Sequence, residues 1–172
     1  MNESSKPRGS GPQRRDRLIR EREHDTYKVR GQLPDPTACP ECGAMYRAGR
    51  WTWGTAPVDA NRVVCPACQR IKDDYPGGFL TLGGAFSTAH REELLGLARN
   101  VEQRETADHP LKRIMEIKDP DGEILITTTD PGLARNIGDA IAAAYEGDLD
   151  YTYTAEGNVL RVTWIRDGAQ GG

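Results

Sequence analysis

The four cysteines of this chain stand in two C-P-x-C pairs, Cys39-Pro40-Glu41-Cys42 and Cys65-Pro66-Ala67-Cys68. Thiolates are soft ligands, and two such pairs complete a tetrahedron around a single ion at bond lengths of about 2.3 Å. Gly43 follows the first pair and relaxes steric limits where the backbone must turn sharply. The 22 residues between the pairs leave room for a pair of strands. Thiolates at all four corners leave no position for water, so the spacing predicts one structural zinc ion held by Cys39, Cys42, Cys65 and Cys68. Iron remains open, because four cysteines also bind it. Two pairs in one small module disfavour a redox C-x-x-C motif. A disulfide framework competes, but the polar N-terminus has no apolar core of a secretory signal. The expected compartment is therefore the cytoplasm, where thiols stay reduced.

Basic and aromatic residues crowd the same region. Arg47, Arg50, Trp51, Trp53 and Arg62 fall between the cysteine pairs, and Arg70 and Lys72 follow the second. Alternation along a strand places Trp51 and Trp53 on one face. Arginine beside exposed aromatic rings is the composition that holds phosphates and stacks on bases. The competing reading is that both tryptophans form the small core of the module. The net charge of −3 is unevenly spread: residues 1–30 carry +4, residues 31–75 are neutral and residues 76–172 carry −7. A basic arm on an acidic body suggests that one end meets a polyanion, and Arg14, Arg15 and Arg17 join the RNA-contact candidates.

Catalytic motifs are sparse. No G-x-x-x-x-G-K-[ST] loop is present, and Gly77-Gly78 and Gly83-Gly84 read as turns around Phe79-Leu80-Thr81-Leu82. His24, His90 and His109 share no spacing with each other or with a nucleophile. Thr127-Thr128-Thr129-Asp130 reads as the end of a strand and a helix cap. With no catalytic constellation in the sequence, no enzymatic activity or small-molecule substrate is expected, and no membrane association either, since no run approaches the roughly 18 apolar residues of a membrane helix.

The elements that must position these residues follow from patterning. Residues 1–36 read as a disordered basic arm and linker, with a short helix at 14–24. Residues 37–86 form a zinc ribbon, and residues 87–110 a connecting helix capped by Ser87. Residues 111–167 read as a ββαββ unit, with strands at 113–118, 123–129, 149–154 and 159–166. Its helix starts at Asp130-Pro131, buries Leu133, Ile137, Ala140, Ile141 and Ala144, and ends at Gly147. Residues 168–172 are a flexible tail. The expected fold class is α+β.

The paired knuckles, Gly49-Arg50-Trp51-Thr52-Trp53 and Cys65-Pro66-Ala67-Cys68-Gln69-Arg70 carry a resemblance. Thr127-Thr128-Thr129-Asp130 with Leu133-Ala134-Arg135 and Ile137, and Arg161-Val162-Thr163-Trp164, extend it. Over about residues 38–166 the chain resembles the N-terminal part of the archaeal and eukaryotic adaptor for export of the large ribosomal subunit, the nonsense-mediated decay protein three family, together with short bacterial relatives. The resemblance implies a zinc-stabilised, non-enzymatic protein that binds the ribosome or its RNA. The chain departs from that family in having four cysteines, room for one site, and no counterpart of the larger downstream domains. A protein–protein adaptor, with zinc only stapling the fold, is the alternative that the acidic C-terminal half favours.

Overall fold

The computed structural model describes residues 33–156 and 158–168. The basic arm with Arg14, Arg15 and Arg17, the helix expected at 14–24 and the tail from 169 onward lie outside the described residues. The described chain is mixed α and β, with two sheets and four helices.

The first sheet is built from very short strands: β1 (Thr37–Ala38), β2 (Met45–Arg47), β3 (Arg50–Thr52) and β4 (Asn61–Arg62). Their order is β3-β2-β1-β4, with β1 and β4 parallel and the other neighbours antiparallel. Residues paired across neighbouring strands share a face, and so do residues two apart along a strand. Ala38 pairs with both Met45 and Arg62, and Arg47 pairs with Arg50. Arg47, Arg50 and Arg62 therefore lie on one face of this sheet, and Thr37, Tyr46 and Trp51 on the other. Helix α1 (Pro66–Asp73) closes the module, ending at Asp74 in the left-handed region.

The second sheet has the order β6-β7-β5-β9-β8, with β5 (Gly78–Gly83) at its centre. The other strands are β6 (Ile114–Lys118), β7 (Ile124–Thr128), β8 (Asp148–Tyr153) and β9 (Leu160–Ile165). Strand β5 runs antiparallel to β7 and parallel to β9, so Leu80 sits between Ile126 and Val162, and Leu82 between Ile124 and Trp164. These six side chains are buried against one layer of helix. Helix α4 (Pro131–Tyr145) contributes Leu133, Ala134, Ile137 and Ile141. Helix α3 (Arg91–Asp108), preceded by the short α2 (Ala85–Ala89), contributes Leu94, Leu95, Ala98 and Val101. The opposite face, with Phe79, Leu125, Arg161, Thr163 and Ile165, carries no helix among the described residues.

Two glycines read from the sequence as turns are packing requirements of β5. A Cβ on Gly78 would lie 2.5 Å from Thr128 Oγ1 and 2.7 Å from Ala134 Cβ. Gly84 has φ of +92°, and a Cβ there would meet the Arg166 carbonyl oxygen at 2.1 Å.

The start of helix α4 is as expected: Asp130 Oδ2 accepts the Leu133 N–H at 3.0 Å and Pro131 takes the first helical position. Three expectations need correction. Residues 78–83, grouped with the ribbon, are the central strand of the second sheet, because the Leu80 and Leu82 side chains complete its core. That sheet consequently has five strands, and the unit runs β-α-α-β-β-α-β-β rather than ββαββ. Ser87 is not a helix cap; it is buried inside α2, where its hydroxyl donates to the Gly83 carbonyl at 2.9 Å.

The central position of β5 makes a testable difference. A fragment of residues 87–168 would leave the hairpins β6–β7 and β8–β9 without the strand that joins them. It is expected to show no cooperative thermal transition by circular dichroism, whereas residues 76–168 melt cooperatively. Leu80→Ala in the full chain should destabilise it by about 2–5 kcal/mol in urea unfolding, the usual cost of a large-to-small change in a core.

Candidate metal centre

Each knuckle is shaped by its own backbone. In the first, the Cys39 N–H donates to Ala44 O at 2.8 Å and the Gly43 N–H returns to Cys39 O at 3.0 Å, with Gly43 at φ +80°. In the second, Cys65 is the extended N-cap of α1, Pro66 follows in the first turn, and Cys65 Sγ accepts the Cys68 N–H at 3.4 Å. The knuckles are stitched together where the Cys65 N–H donates to Cys39 Sγ at 3.2 Å.

The four Sγ atoms lie within 4.8 Å of one another and form a single candidate metal site. Tetrahedral bonds of about 2.3 Å place neighbouring sulfurs about 3.8 Å apart, and Cys42 Sγ lies 3.7 Å from Cys65 Sγ. All four cysteines are free thiols rather than disulfides. Cys39, Cys65 and Cys68 are buried, and Cys42 is half-buried. The residues thus fit a tetrathiolate ion, and the donor set is complete without solvent.

Burial raises the Cys42 and Cys65 thiols above their ordinary value. Burial acts on Cys39 in the same sense, but the N–H groups of Cys65, Cys42 and Glu41 outweigh it and bring this thiol down to about 7. Cys39 is therefore readier than Cys42 or Cys65 to meet a metal at neutral pH, and those two must give up protons to bind.

A residue that sequence reading missed completes the site. Arg113 comes from the second unit, just before β6, and its Nη2 donates to Cys68 Sγ at 3.2 Å and to Cys65 Sγ at 3.3 Å. The segment is held by Thr129, whose Oγ1 accepts the Arg113 N–H at 2.9 Å and donates to Leu111 O at 2.6 Å. Leu111 itself packs against the cysteine cluster. A second bridge joins the units where Trp53 Nε1 donates to Thr106 O of α3 at 2.7 Å. No spacing rule links Arg113 to cysteines 45 and 48 positions away.

The RNA-contact candidates separate into groups. Arg47, Arg50 and Arg62 are exposed on one sheet face. Trp51 lies on the other face, packed against the cysteine cluster and edge-on to Tyr46 at 5.6 Å. Trp53 lies just beyond β3 and keeps 40 % of its surface exposed. Arg70 is only 5 % exposed, and its Nη1 donates to Tyr75 O just beyond the end of α1 at 3.0 Å, which takes it out of the solvent-facing set. Lys72 is exposed and pairs with Glu41 of the first knuckle at 2.8 Å.

His90 stacks on Phe86 with ring centroids 4.1 Å apart, and Glu92 and Glu93 occupy the first turn of α3. A groove of about 350 Å³ between α3 and α4 contains Arg104, Glu105, His109 and Asn136. There burial acts against the Glu105 carboxylate, but Lys112 and Asn136 hold its pKa below the usual range. No helix among the described residues is long and apolar enough to cross a membrane.

No family model, curated protein or solved structure matches this chain. The four-cysteine centre is consequently read from its own geometry.

Purified protein is expected to hold one metal ion per chain by elemental analysis, and Cys65→Ser to hold none. Because Cys42 and Cys65 are protonated at neutral pH, binding should release at least two protons per ion. Calorimetric titration in buffers of different ionisation enthalpy reads that number directly. Affinity should accordingly fall as the pH is lowered from about 9, the ordinary thiol value, and more steeply below about 7 where Cys39 is protonated as well; a pH-independent affinity between 5 and 7 would contradict this thiol chemistry.

Proposed function

We propose that this protein is a zinc-stabilised, non-enzymatic binding protein that associates in the cytoplasm with the ribosome or with RNA. The metal is structural zinc, since four thiolates close the tetrahedron and leave no position for a reacting water. The observation that carries the binding role is the arginine face of the ribbon. Arg47 and Arg50 stand directly opposite each other across the hairpin, with Arg62 on the same face. Like charges placed opposite one another across a strand pair oppose folding. None of the three has an ion-pair partner among the described residues, so their charge is directed to solvent. A phosphate backbone is the ligand that would relieve the repulsion and gain affinity by releasing counterions. Arg14, Arg15 and Arg17 of the basic arm would extend the same contact. The resemblance to the ribosomal-subunit export adaptor agrees with this reading, since Arg50 and Trp51 fall within its shared stretch.

A protein–protein adaptor is the second reading, favoured by the helix-free face of the second sheet. Phe79 and Leu125 share that face with Ile165, which is 41 % exposed, and Asp148 and Asp150 pair with Ile165 and Thr163 at its edge.

Sedimentation with ribosomes through a sucrose cushion at two salt concentrations tests the first reading. The wild-type protein should pellet at low salt and release as salt rises. The variant Arg47→Glu/Arg50→Glu/Arg62→Glu should pellet less, and its salt slope should fall by roughly 0.7–0.9 for each phosphate it no longer neutralises. Equal pelleting of variant and wild type would sink the arginine-face reading. A nuclease-insensitive pull-down dominated by one protein would instead establish the adaptor.

A further inference from the structure

The geometry points to Arg113 as an outer-sphere residue of the metal centre, one that sets metal affinity and couples metal binding to the docking of the ribbon on the second unit. The inference goes beyond the proposed binding role and rests only on the reading that the four cysteines hold a divalent ion.

Three observations carry it. First, the Arg113 guanidinium reaches across from the second unit and donates through Nη2 to two ligand sulfurs at once, Cys65 and Cys68. Second, the Arg113 Nε is sealed from solvent and has no hydrogen-bond partner among the described residues. A buried guanidinium with an unsatisfied donor is unfavourable unless opposite charge compensates it. Four thiolates around a divalent ion carry an excess of two negative charges, and that excess faces Arg113. Third, its backbone is fixed independently of the metal, because Thr129 at the end of β7 clamps residues 111–113 on both sides. The guanidinium is thus presented to the sulfurs from a preorganised segment, as outer-sphere partners of metal ligands are.

The consequence is reciprocal. With the ion bound, Arg113 has its countercharge and the seam between the units is closed by Arg113, Leu111 and the Trp53–Thr106 hydrogen bond. Without the ion, nothing gathers four thiolates at one point, and the same guanidinium becomes an uncompensated charge at the seam. Metal occupancy is therefore read out as ribbon docking.

The test compares wild type with Arg113→Met, Arg113→Lys and Leu111→Ala. Leu111→Ala serves as the control, removing apolar packing at the same seam while leaving both hydrogen bonds from Arg113 to the sulfurs in place. The readouts are zinc affinity by chelator competition, the melting temperature with and without zinc, and the sulfur-to-metal charge-transfer band of the cobalt-loaded protein. Arg113→Met is expected to weaken zinc binding by roughly 10–100-fold, the usual effect of removing an outer-sphere partner. It should also narrow the gap between the two melting temperatures and move the cobalt band to lower energy, because the sulfurs lose their hydrogen bonds. Arg113→Lys, which keeps the charge without the fork of donors, should fall between Met and wild type. Leu111→Ala should lower both melting temperatures and leave the band in place.

Should Arg113→Met not fold, the band position and affinity of Arg113→Lys still decide. Zinc affinity and band position in the Arg113 variants indistinguishable from those of Leu111→Ala would overturn the inference. A wild-type protein that binds no zinc would instead reject the reading of the centre itself, so the two failures are separable.

Discussion

Four thiolates repel one another, and the ribbon exists only where something gathers them. Its strands are two or three residues long, and its buried cluster consists of Cys39, Ala44, Cys65, Ala67 and Cys68. So little apolar surface cannot offset the entropy of ordering the chain, which is why modules of this size depend on a metal for folding energy. The knuckle backbones prepare for the ion by donating to sulfur, from Cys65 N–H to Cys39 and from Cys68 N–H to Cys65. The arrangement then draws on the second unit for Arg113. Charge balance at the sulfurs and contact between the two units are in this way the same interaction.

The second unit can supply that residue because it has a core of its own. Strand β5 sits between β7 and β9, and one face of the sheet is sealed by α3 and α4. The rigid sheet fixes Thr129 at the end of β7, and Thr129 fixes the segment from Leu111 to Arg113. The chain that joins the ribbon to this body enters directly as β5, only a few residues beyond α1. Short connection and shared hydrogen bonds leave the ribbon seated on the body rather than tethered to it.

The ribbon sheet divides its residues by face. Trp51 points inward to the cysteine cluster, and Trp53 reaches α3, whereas Arg47, Arg50 and Arg62 point outward. The two chemistries that RNA recognition uses, stacking and phosphate pairing, are separated by the thickness of one sheet. Among the described residues of this sheet, Arg47, Arg50 and Arg62 are the arginines turned to solvent, whereas Arg70 is buried and donates to the Tyr75 carbonyl.

Spacing alone determined the centre and the local elements. Two C-P-x-C pairs specify ligands because metal geometry is a property of short chain segments, and Asp130-Pro131 specifies a helix start because capping is equally local. The hairpin turn before β7 and the alternation of Leu160, Val162 and Trp164 were legible for the same reason. Tertiary structure decided what local patterning does not encode. Phe79-Leu80-Thr81-Leu82 became a central strand because Leu80 and Leu82 fill a core between strands that lie more than forty residues away in sequence. Gly78 is a glycine because other parts of the chain approach it, and at Gly84 such an approach adds to the demand of a positive φ. Arg113 meets Cys65 and Cys68 because the body and the ribbon dock, and an electrostatic contact of that kind leaves no periodic trace in the sequence.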